Sequence, residues 1–249
     1  MQRVDGKFAE IPRTMTAPYP SGGLVVSRVA MFIIGLTLVA AATPAAPGYR
    51  PLTMDFRLTH LAVIGDSYTA GTDEGGLGAT SWTARAWQAL ARAGERIAPD
   101  VAAEGRAGYG VPGDHGSVFE DLTARAVKPD DVLVVFFGSR NDAGVEPQLL
   151  AEKAGATFDL ARRLAPSARL LVIGPPWPAA EVPDSVLQIR DVLNAAAHAA
   201  GAAFVDPIGD GWFVDRPELI GADGVHPTDA GHQYLADKIA PLIRAQLPR

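Results

Sequence analysis

From residue 59 onward, short apolar runs alternate with longer stretches of helical periodicity, and this alternation restricts the fold more than any other feature. Each run is typical of a buried strand, and each stretch is typical of an amphipathic helix. Strands that alternate with helices predict a parallel sheet covered by helices on both faces. We therefore predict one doubly wound α/β domain over 58–249, with about five strands.

The predicted strands are His60–Ile64, Val101–Ala103, Asp131–Gly138, Arg169–Ile173 and Ala203–Val205. The predicted helices are Ser81–Ala93, Ser117–Ala126, Pro147–Leu164, Asp184–Ala200 and Thr228–Gln246.

The segment before this domain has a different composition. An apolar run, 29–42, follows Arg28 and precedes a stretch of small residues and prolines. A basic flank, an apolar core and an Ala-x-Ala-like end are typical of a secretory signal peptide. An uncleaved membrane anchor through 24–42 is the alternative. We predict a leader over 1–48, a linker over 49–57, and export of the domain to a secreted or cell-envelope location.

Composition excludes several classes of site. The chain has no cysteine, which excludes disulfides, cysteine–zinc sites and thiol catalysis. Its net charge of −6 gives no electrostatic support to a nucleic-acid partner. The glycine pattern at 108–113 matches a dinucleotide fingerprint formally, but it follows the weakest strand and contains Pro112. We predict no cofactor, and the oligomeric state that we predict is a monomer.

Ser67 follows the first predicted strand, in the sequence Gly65-Asp66-Ser67. The carboxyl edge of an open α/β sheet is where ligands bind, so Ser67 is a candidate nucleophile. A serine hydroxyl needs an adjacent base, itself oriented by a third group. Among the five histidines, His226 stands in a loop before a helix cap, and Asp223 is near enough for its carboxylate to accept from the imidazole. The alternative is an Asp- and Gly-stabilised turn with an incidental histidine.

Acyl chemistry also needs hydrogen-bond donors for a developing oxyanion. Asn141 follows the strongest predicted strand, and its uncharged amide is a candidate donor at the same edge as Ser67. The glycine-rich loop 105–110 can bring a backbone N–H close to a ligand. Strand-to-helix turns also favour Gly, Asn and Asp for conformational reasons, so neither loop is decisive alone.

Four blocks of residues, taken together, resemble the SGNH hydrolases, also called the GDSL esterase/lipase family. They are Gly65-Asp66-Ser67, Gly108, Asn141-Asp142 and Asp223-x-x-His226, in the family's order across roughly residues 58–245. The resemblance implies a flavodoxin-like three-layer α/β/α fold. It also implies Ser67 as nucleophile, His226 as general base and Asp223 as its orienting acid. The implied oxyanion donors are the Ser67 N–H, the Gly108 N–H and the Asn141 side chain, with no metal.

Two positions depart from the family pattern. The third block is usually Gly-x-Asn-Asp, whereas Ser139-Arg140 precedes Asn141 here. Either Ser139 occupies the glycine position, or the loop carries one extra residue after Gly138. The second departure is Tyr68, which replaces the leucine of the GDSL name and receives no function. In the second block Gly110 competes with Gly108, and spacing favours Gly108.

The substrate side of the site is less defined by the sequence. Trp177 and Trp212 lie in predicted loops and offer apolar surface to an acyl chain or a sugar ring, with core packing as the alternative. Asp73, Glu74 and Asp114 near the presumed mouth disfavour anionic substrates. The prediction is an exported serine esterase acting on a lipid, a small acyl ester or an acylated glycan. An O-acyltransferase acting on an envelope glycan or lipid, and a non-catalytic envelope-binding module, are the alternatives.

Overall fold

The computed structural model of the protein describes residues 58–248. The predicted leader 1–48, with its apolar run 29–42, and the predicted linker 49–57 lie outside the described residues. Within 58–248, no helix combines the length and the apolar character that crossing a bilayer requires.

Five parallel strands form one sheet within the described part of the chain, in the order β2-β1-β3-β4-β5. Their bounds are β1 Thr59–Gly65, β2 Ile97–Ala103, β3 Leu133–Phe137, β4 Arg169–Ile173 and β5 Ala203–Val205. This order is that of the flavodoxin-like doubly wound fold, in which the winding reverses between β1 and β3. The predicted fold class is confirmed.

Helices and short 3₁₀ turns connect the strands. The helices are α1 Ser67–Ala70, α2 Trp82–Arg92, α3 Phe119–Ala126, α4 Pro147–Leu164, α5 Asp184–Ala199 and α6 Asp229–Gln246. The 3₁₀ turns are Gly78–Thr80, Arg140–Asp142 and Pro217–Leu219. Polar side chains begin two of the longer helices: Ser81 accepts from the Ala84 N–H at the start of α2, and Thr228 accepts from the Gly231 N–H at the start of α6.

Both faces of the sheet are apolar, as a parallel sheet covered on both sides requires. Ala62 and Ile64 of β1 pack in a core that includes side chains of α3, α4 and α5. Leu61 and Val63, on the opposite face, pack in a second core with side chains of α2 and α6. The architecture is therefore a three-layer sandwich with a hydrophobic core on each side of the sheet.

The strand register brings two loops to one level of the sheet. Gly65, the last residue of β1, lies opposite Phe137, the last residue of β3. The segments that follow, beginning at Ser67 and at Ser139, therefore start side by side at the carboxyl edge. This is also the point where the winding reverses, which is where doubly wound folds form their ligand crevice.

Candidate active site

Three side chains from two distant parts of the chain meet at this edge. Ser67 is the first residue of α1, and its Oγ lies 3.0 Å from Nε2 of His226. The other imidazole nitrogen, Nδ1, lies 2.6 Å from Oδ2 of Asp223. The structure thus brings together the three residues that the sequence analysis selected, in the order nucleophile, base and acid that such a site needs.

Asp223 is fixed by its own loop. The N–H groups of Val225 and His226 donate to its Oδ1 at 2.8 and 2.9 Å. Burial of the carboxyl opposes ionisation, but the bonds from His226 and Val225 outweigh it and lower the pKa of Asp223 to about 2. Asp223 is therefore ionised near neutral pH and holds the imidazole through its second oxygen.

Two further side chains hold the loop that carries the histidine. The hydroxyl of Tyr68 donates to the backbone oxygen of Val225 at 2.5 Å, directly before His226. On the other side of the loop, the Ala222 N–H donates to Oε2 of Glu74 at 2.9 Å. Sequence reasoning gave neither residue this role, and for Tyr68 the only available signal was its position beside the nucleophile.

Ser139 and Asn141 share one acceptor, the backbone oxygen of Ala107. The Ser139 hydroxyl donates to it at 2.8 Å, and the Asn141 Nδ2 donates to it at 3.0 Å. Ser139 also caps the 3₁₀ turn by accepting from the Asn141 N–H at 3.0 Å. One amide hydrogen of Asn141 is thereby used to fix the side chain, and the other is left for a ligand.

These contacts bear on the two interpretations of the third block. Ser139 is the N-cap of the turn Arg140–Asp142, which favours the interpretation in which it takes the glycine position. The glycine that the turn does require is Gly138, whose φ of 115° lies in the left-handed region. A Cβ at Gly138 would also lie 2.7 Å from Oδ2 of Asp66.

The Ser67 N–H is the second available donor. It donates to no acceptor among residues 58–248, because the first N–H of a helix has no partner in its own turn. The Ser67 N–H and the amide of Asn141 are therefore the two candidate donors to an oxygen held next to Ser67 Oγ.

Gly108 differs from the sequence expectation. Its N–H donates to the backbone oxygen of Val111 at 2.8 Å, so the structure does not present it as a free donor. The competing candidate, Gly110, donates to Asp142 at 2.8 Å. A Cβ at Gly108 would lie 2.5 Å from Oδ1 of Asp142, so glycine is needed here for the close approach of that carboxylate. The N–H of Tyr109 donates to the other oxygen of Asp142, which ties the second block to the third.

Asp66 is buried beside the nucleophile. Its Oδ1 accepts from the Tyr68 N–H at 2.9 Å, and the residue is only 2% exposed. Burial raises the pKa of Asp66 to about 6, although the bond from the Tyr68 N–H and the positive charge of Arg140 oppose the shift. Asp66 makes no direct bond to the imidazole of His226 among the described contacts, so it supports the nucleophile turn rather than the base.

The two tryptophans that were predicted to contact the substrate, Trp177 and Trp212, lie in different environments. Trp177 is partly exposed in the loop after β4; its indole N–H donates to the Glu181 backbone oxygen, and the Arg140 guanidinium lies over its ring. Trp212 is only 3% exposed and packs in the core beside α6. The prediction that Trp212 contacts the substrate is therefore wrong. Its loop places the indole in the hydrophobic core.

Two other polar residues near the triad, Asp229 and His232, are occupied by structural contacts. Asp229 accepts from the Gly76 N–H at 2.9 Å, and Nδ1 of His232 accepts from the Trp82 N–H at 3.3 Å. Within residues 58–248, no group of three or more potential ligands is arranged to hold a metal ion.

Comparison with known proteins identifies the family. The model of the GDSL-like lipase/acylhydrolase family matches residues 63–234. The protein named GDSL lipase Rv0518, from Mycobacterium tuberculosis, is 71% identical over 229 residues, which are 89% of this chain and 99% of that protein. The chain belongs to the GDSL-like lipase/acylhydrolase family. The resemblance inferred from the four blocks is confirmed, and membership of this family makes the chain an SGNH ester hydrolase.

Solved structures show the same fold. TesA is 23% identical, with a TM-score of 0.62, covering 76% of this chain and 100% of that one. Est24, a carbohydrate acetylesterase from Sinorhizobium meliloti, is 17% identical, with a TM-score of 0.57 and the same two coverages. At these identities the likeness concerns the architecture, so it carries no information on the substrate of this chain.

Proposed function

We propose that this chain hydrolyses carboxylic esters through an acyl-enzyme formed on Ser67. One observation carries the proposal: Ser67 Oγ lies 3.0 Å from Nε2 of His226, and Nδ1 of His226 lies 2.6 Å from Asp223. A neutral imidazole in this position accepts the hydroxyl proton, while the ionised Asp223 holds the tautomer with the proton on Nδ1. Metal ions and cofactors have no part in this scheme.

The bonds formed and broken follow from this geometry. As Ser67 Oγ bonds to the ester carbonyl carbon, His226 takes its proton, and the carbonyl oxygen becomes an oxyanion facing the Ser67 N–H and the Asn141 amide. The C–O bond to the alcohol then breaks, and His226 returns the proton to the departing oxygen. Water repeats the sequence on the acyl-enzyme, which releases the acid and restores the Ser67 hydroxyl.

The experiment combines a fluorophosphonate probe with a panel of p-nitrophenyl esters from acetate to palmitate and a set of acetylated sugars. The unsubstituted protein should be labelled and should turn over part of the panel, whereas Ser67→Ala should do neither and should unfold at nearly the same denaturant concentration. The matched control is Ser185→Ala, because Ser185 is an exposed serine on α5. Turnover by Ser67→Ala at the unsubstituted rate would refute the assignment of the nucleophile.

The same assay separates the alternative functions. Absence of labelling in a normally folded protein indicates a non-catalytic binding module. If an added glycan or lipid alcohol competes with water for the acyl group, the chain is an O-acyltransferase. The panel also reports which ester class is preferred among lipids, small acyl esters and acylated glycans.

We also propose that the domain is exported, on the strength of the basic flank and apolar run before residue 43. Expression of the full chain in a bacterial host with an intact secretion pathway, followed by fractionation and N-terminal sequencing, tests this. A shortened chain in the periplasm or medium indicates cleavage, and full-length protein in the membrane fraction indicates an anchor. Full-length protein confined to the cytoplasm contradicts export.

A further inference from the structure

Arg140 occupies a distinctive position in the site. It stands between Ser139 and Asn141, both of which are fixed by the Ala107 carbonyl. Its guanidinium carbon lies 4.9 Å from the centre of the Trp177 ring. Arg140 follows β3 and Trp177 follows β4, so the pair forms at the same carboxyl edge as Ser67.

The charge of Arg140 lacks a carboxylate partner. No carboxylate of the described residues lies within 4.0 Å of the guanidinium, whereas Arg106, Arg190 and Arg244 each pair with an acid at 2.6 to 3.1 Å. One of its nitrogens, Nη1, is buried and has no hydrogen-bond partner in the described part of the chain. A partly buried cation with unused donors is costly to maintain, which points to a ligand that completes it.

The charge acts close to the nucleophile. Burial raises the pKa of Asp66 and that of Tyr68, the two residues that flank Ser67, and the positive charge of Arg140 opposes both shifts. The next residue, Asn141, supplies the amide that faces the oxyanion. A group bound to Arg140 is therefore a near neighbour of the scissile ester bond.

The acids that the sequence analysis placed at the mouth of the site are mostly occupied. Asp114 pairs with Arg106 at 2.6 Å, and Glu74 accepts the Ala222 N–H. Nearer the nucleophile, Asp66 and Asp223 are each satisfied by N–H donors of their own turns. Among the acids that were expected to exclude anionic substrates, Asp114 is therefore the one whose charge an arginine offsets.

We propose that Arg140, backed by the Trp177 ring, binds an anionic group of the substrate, a carboxylate or a phosphate located near the scissile ester. The guanidinium suits both anions because its planar donors match a pair of oxygens, and the aromatic face behind it fixes its plane. The proposal rests on the esterase function proposed for Ser67 and specifies the substrate class of that site.

Matched ester pairs test the proposal. On the alcohol side, 4-acetoxybenzoate and 4-acetoxyphenyl phosphate are compared with methyl 4-acetoxybenzoate. On the acyl side, mono-p-nitrophenyl adipate is compared with its methyl ester. The quantity measured is the ratio of kcat/KM for the anionic ester to kcat/KM for the neutral one. Intrinsic differences in reactivity cancel when this ratio is compared between variants.

Arg140→Gln should lower the ratio by about tenfold for at least one pair, and Arg140→Lys should lower it less, since it keeps the charge without the planar fork. The pair that responds distinguishes a carboxylate from a phosphate and the acyl side from the alcohol side. The matched control is Arg216→Gln, because the Arg216 guanidinium also lies over an aromatic ring, that of Tyr234, at 5.0 Å. This control should leave the ratio unchanged.

An unchanged ratio in Arg140→Gln overturns the proposal. If neutral and anionic esters slow equally, Arg140 acts through Asp66 and Tyr68 rather than on a ligand, which also overturns it. Fluorophosphonate labelling of the same preparations separates these results from failure of the esterase function. A labelled protein without charge preference refutes only the anion site, whereas a folded protein with neither labelling nor turnover refutes both.

Discussion

Replacing the buried acid beside the nucleophile, Asp66→Asn, should change how stability depends on pH. The asparagine keeps the size of the side chain and an oxygen that accepts the Tyr68 N–H, but it carries no charge. In the unsubstituted protein the pKa of Asp66 is raised to about 6 from 3.8, chiefly by burial. The charge on Asp66 is therefore a cost to the folded state, and removing it should stabilise the protein where the acid is ionised.

The size and sign of the effect follow from the two pKa values. A shift from 3.8 to about 6 corresponds to about 3 kcal/mol at about 1.4 kcal/mol per unit. Below 3.8 both folded and unfolded states hold the proton. Between 3.8 and 6 the unfolded chain loses it while the folded chain keeps it, so this group lowers stability as pH rises through that window. Relative to the unsubstituted protein, Asp66→Asn should thus gain about 3 kcal/mol between about pH 4 and about pH 8.

The assay is urea unfolding of both proteins at the two pH values and constant ionic strength. The difference between the proteins is essential, because His232 acts in the same range with the opposite sign. Burial lowers the pKa of His232 to about 4 from 6.5, so its contribution to stability is lost as pH falls through that interval. The His232 contribution is common to both proteins at each pH and cancels in the difference between them. Any pH-independent cost of the new amide beside Gly138 is common to both pH values and cancels when the two differences are compared. A difference that stays constant within about 0.5 kcal/mol would refute the assignment of a raised pKa to Asp66.

Three further predictions concern residues that hold the site in place. Asn141→Ala should lower kcat by about 10²–10³-fold with little change in KM, since its amide acts on the transition state. Ser139→Ala should cost about 1–3 kcal/mol of unfolding free energy through its two lost hydrogen bonds, and it should slow turnover. In the double variant the two kinetic losses should not multiply, and fully multiplicative losses would show that Ser139 does not act through Asn141. Tyr68→Phe should leave the Val225 carbonyl without its donor, which lowers both kcat and the unfolding midpoint by amounts measurable in the same assays. An unchanged kcat would separate Tyr68 from the positioning of His226.

The strands and helices were predictable where the local pattern of apolar residues and end signals is enough to specify the element. The helix Pro147–Leu164 and the strand Arg169–Ile173 have the bounds that their patterns predicted. The strand β2 was predicted to begin at residue 101, because Pro99 and Asp100 are typical of a strand boundary. It begins instead at Ile97. Within residues 58–248, β2 is an edge strand that bonds to β1 alone, so a proline is tolerated on it. Whether a strand lies at the edge or in the centre of a sheet depends on the tertiary structure, and local sequence patterns do not reveal it.

The triad was predictable because each of its members is recognisable from residue type and from a neighbouring turn. The candidate oxyanion donors were less predictable. A backbone N–H has the same chemistry at every position, and whether it is free to bind a ligand depends on the conformation of its loop. Gly108 shows this: its N–H bonds to Val111, while the lack of a side chain makes room for Asp142. Trp212 shows the corresponding limit for apolar residues, because a loop aromatic contacts either a ligand or the core, and only the path of the loop decides.

The departure at Ser139 bears on how the site tolerates change. A hydroxyl is accommodated at the usual glycine position because it finds two partners at once, the Ala107 carbonyl and the Asn141 N–H. The same carbonyl also receives the Asn141 side chain, so one backbone oxygen orients both the turn and the amide that it presents. Ser139 therefore holds the turn that carries Asn141 through hydrogen bonds of its own side chain. Arg140, which lies between them, takes no part in these bonds, so its charge is available to the anionic group proposed above.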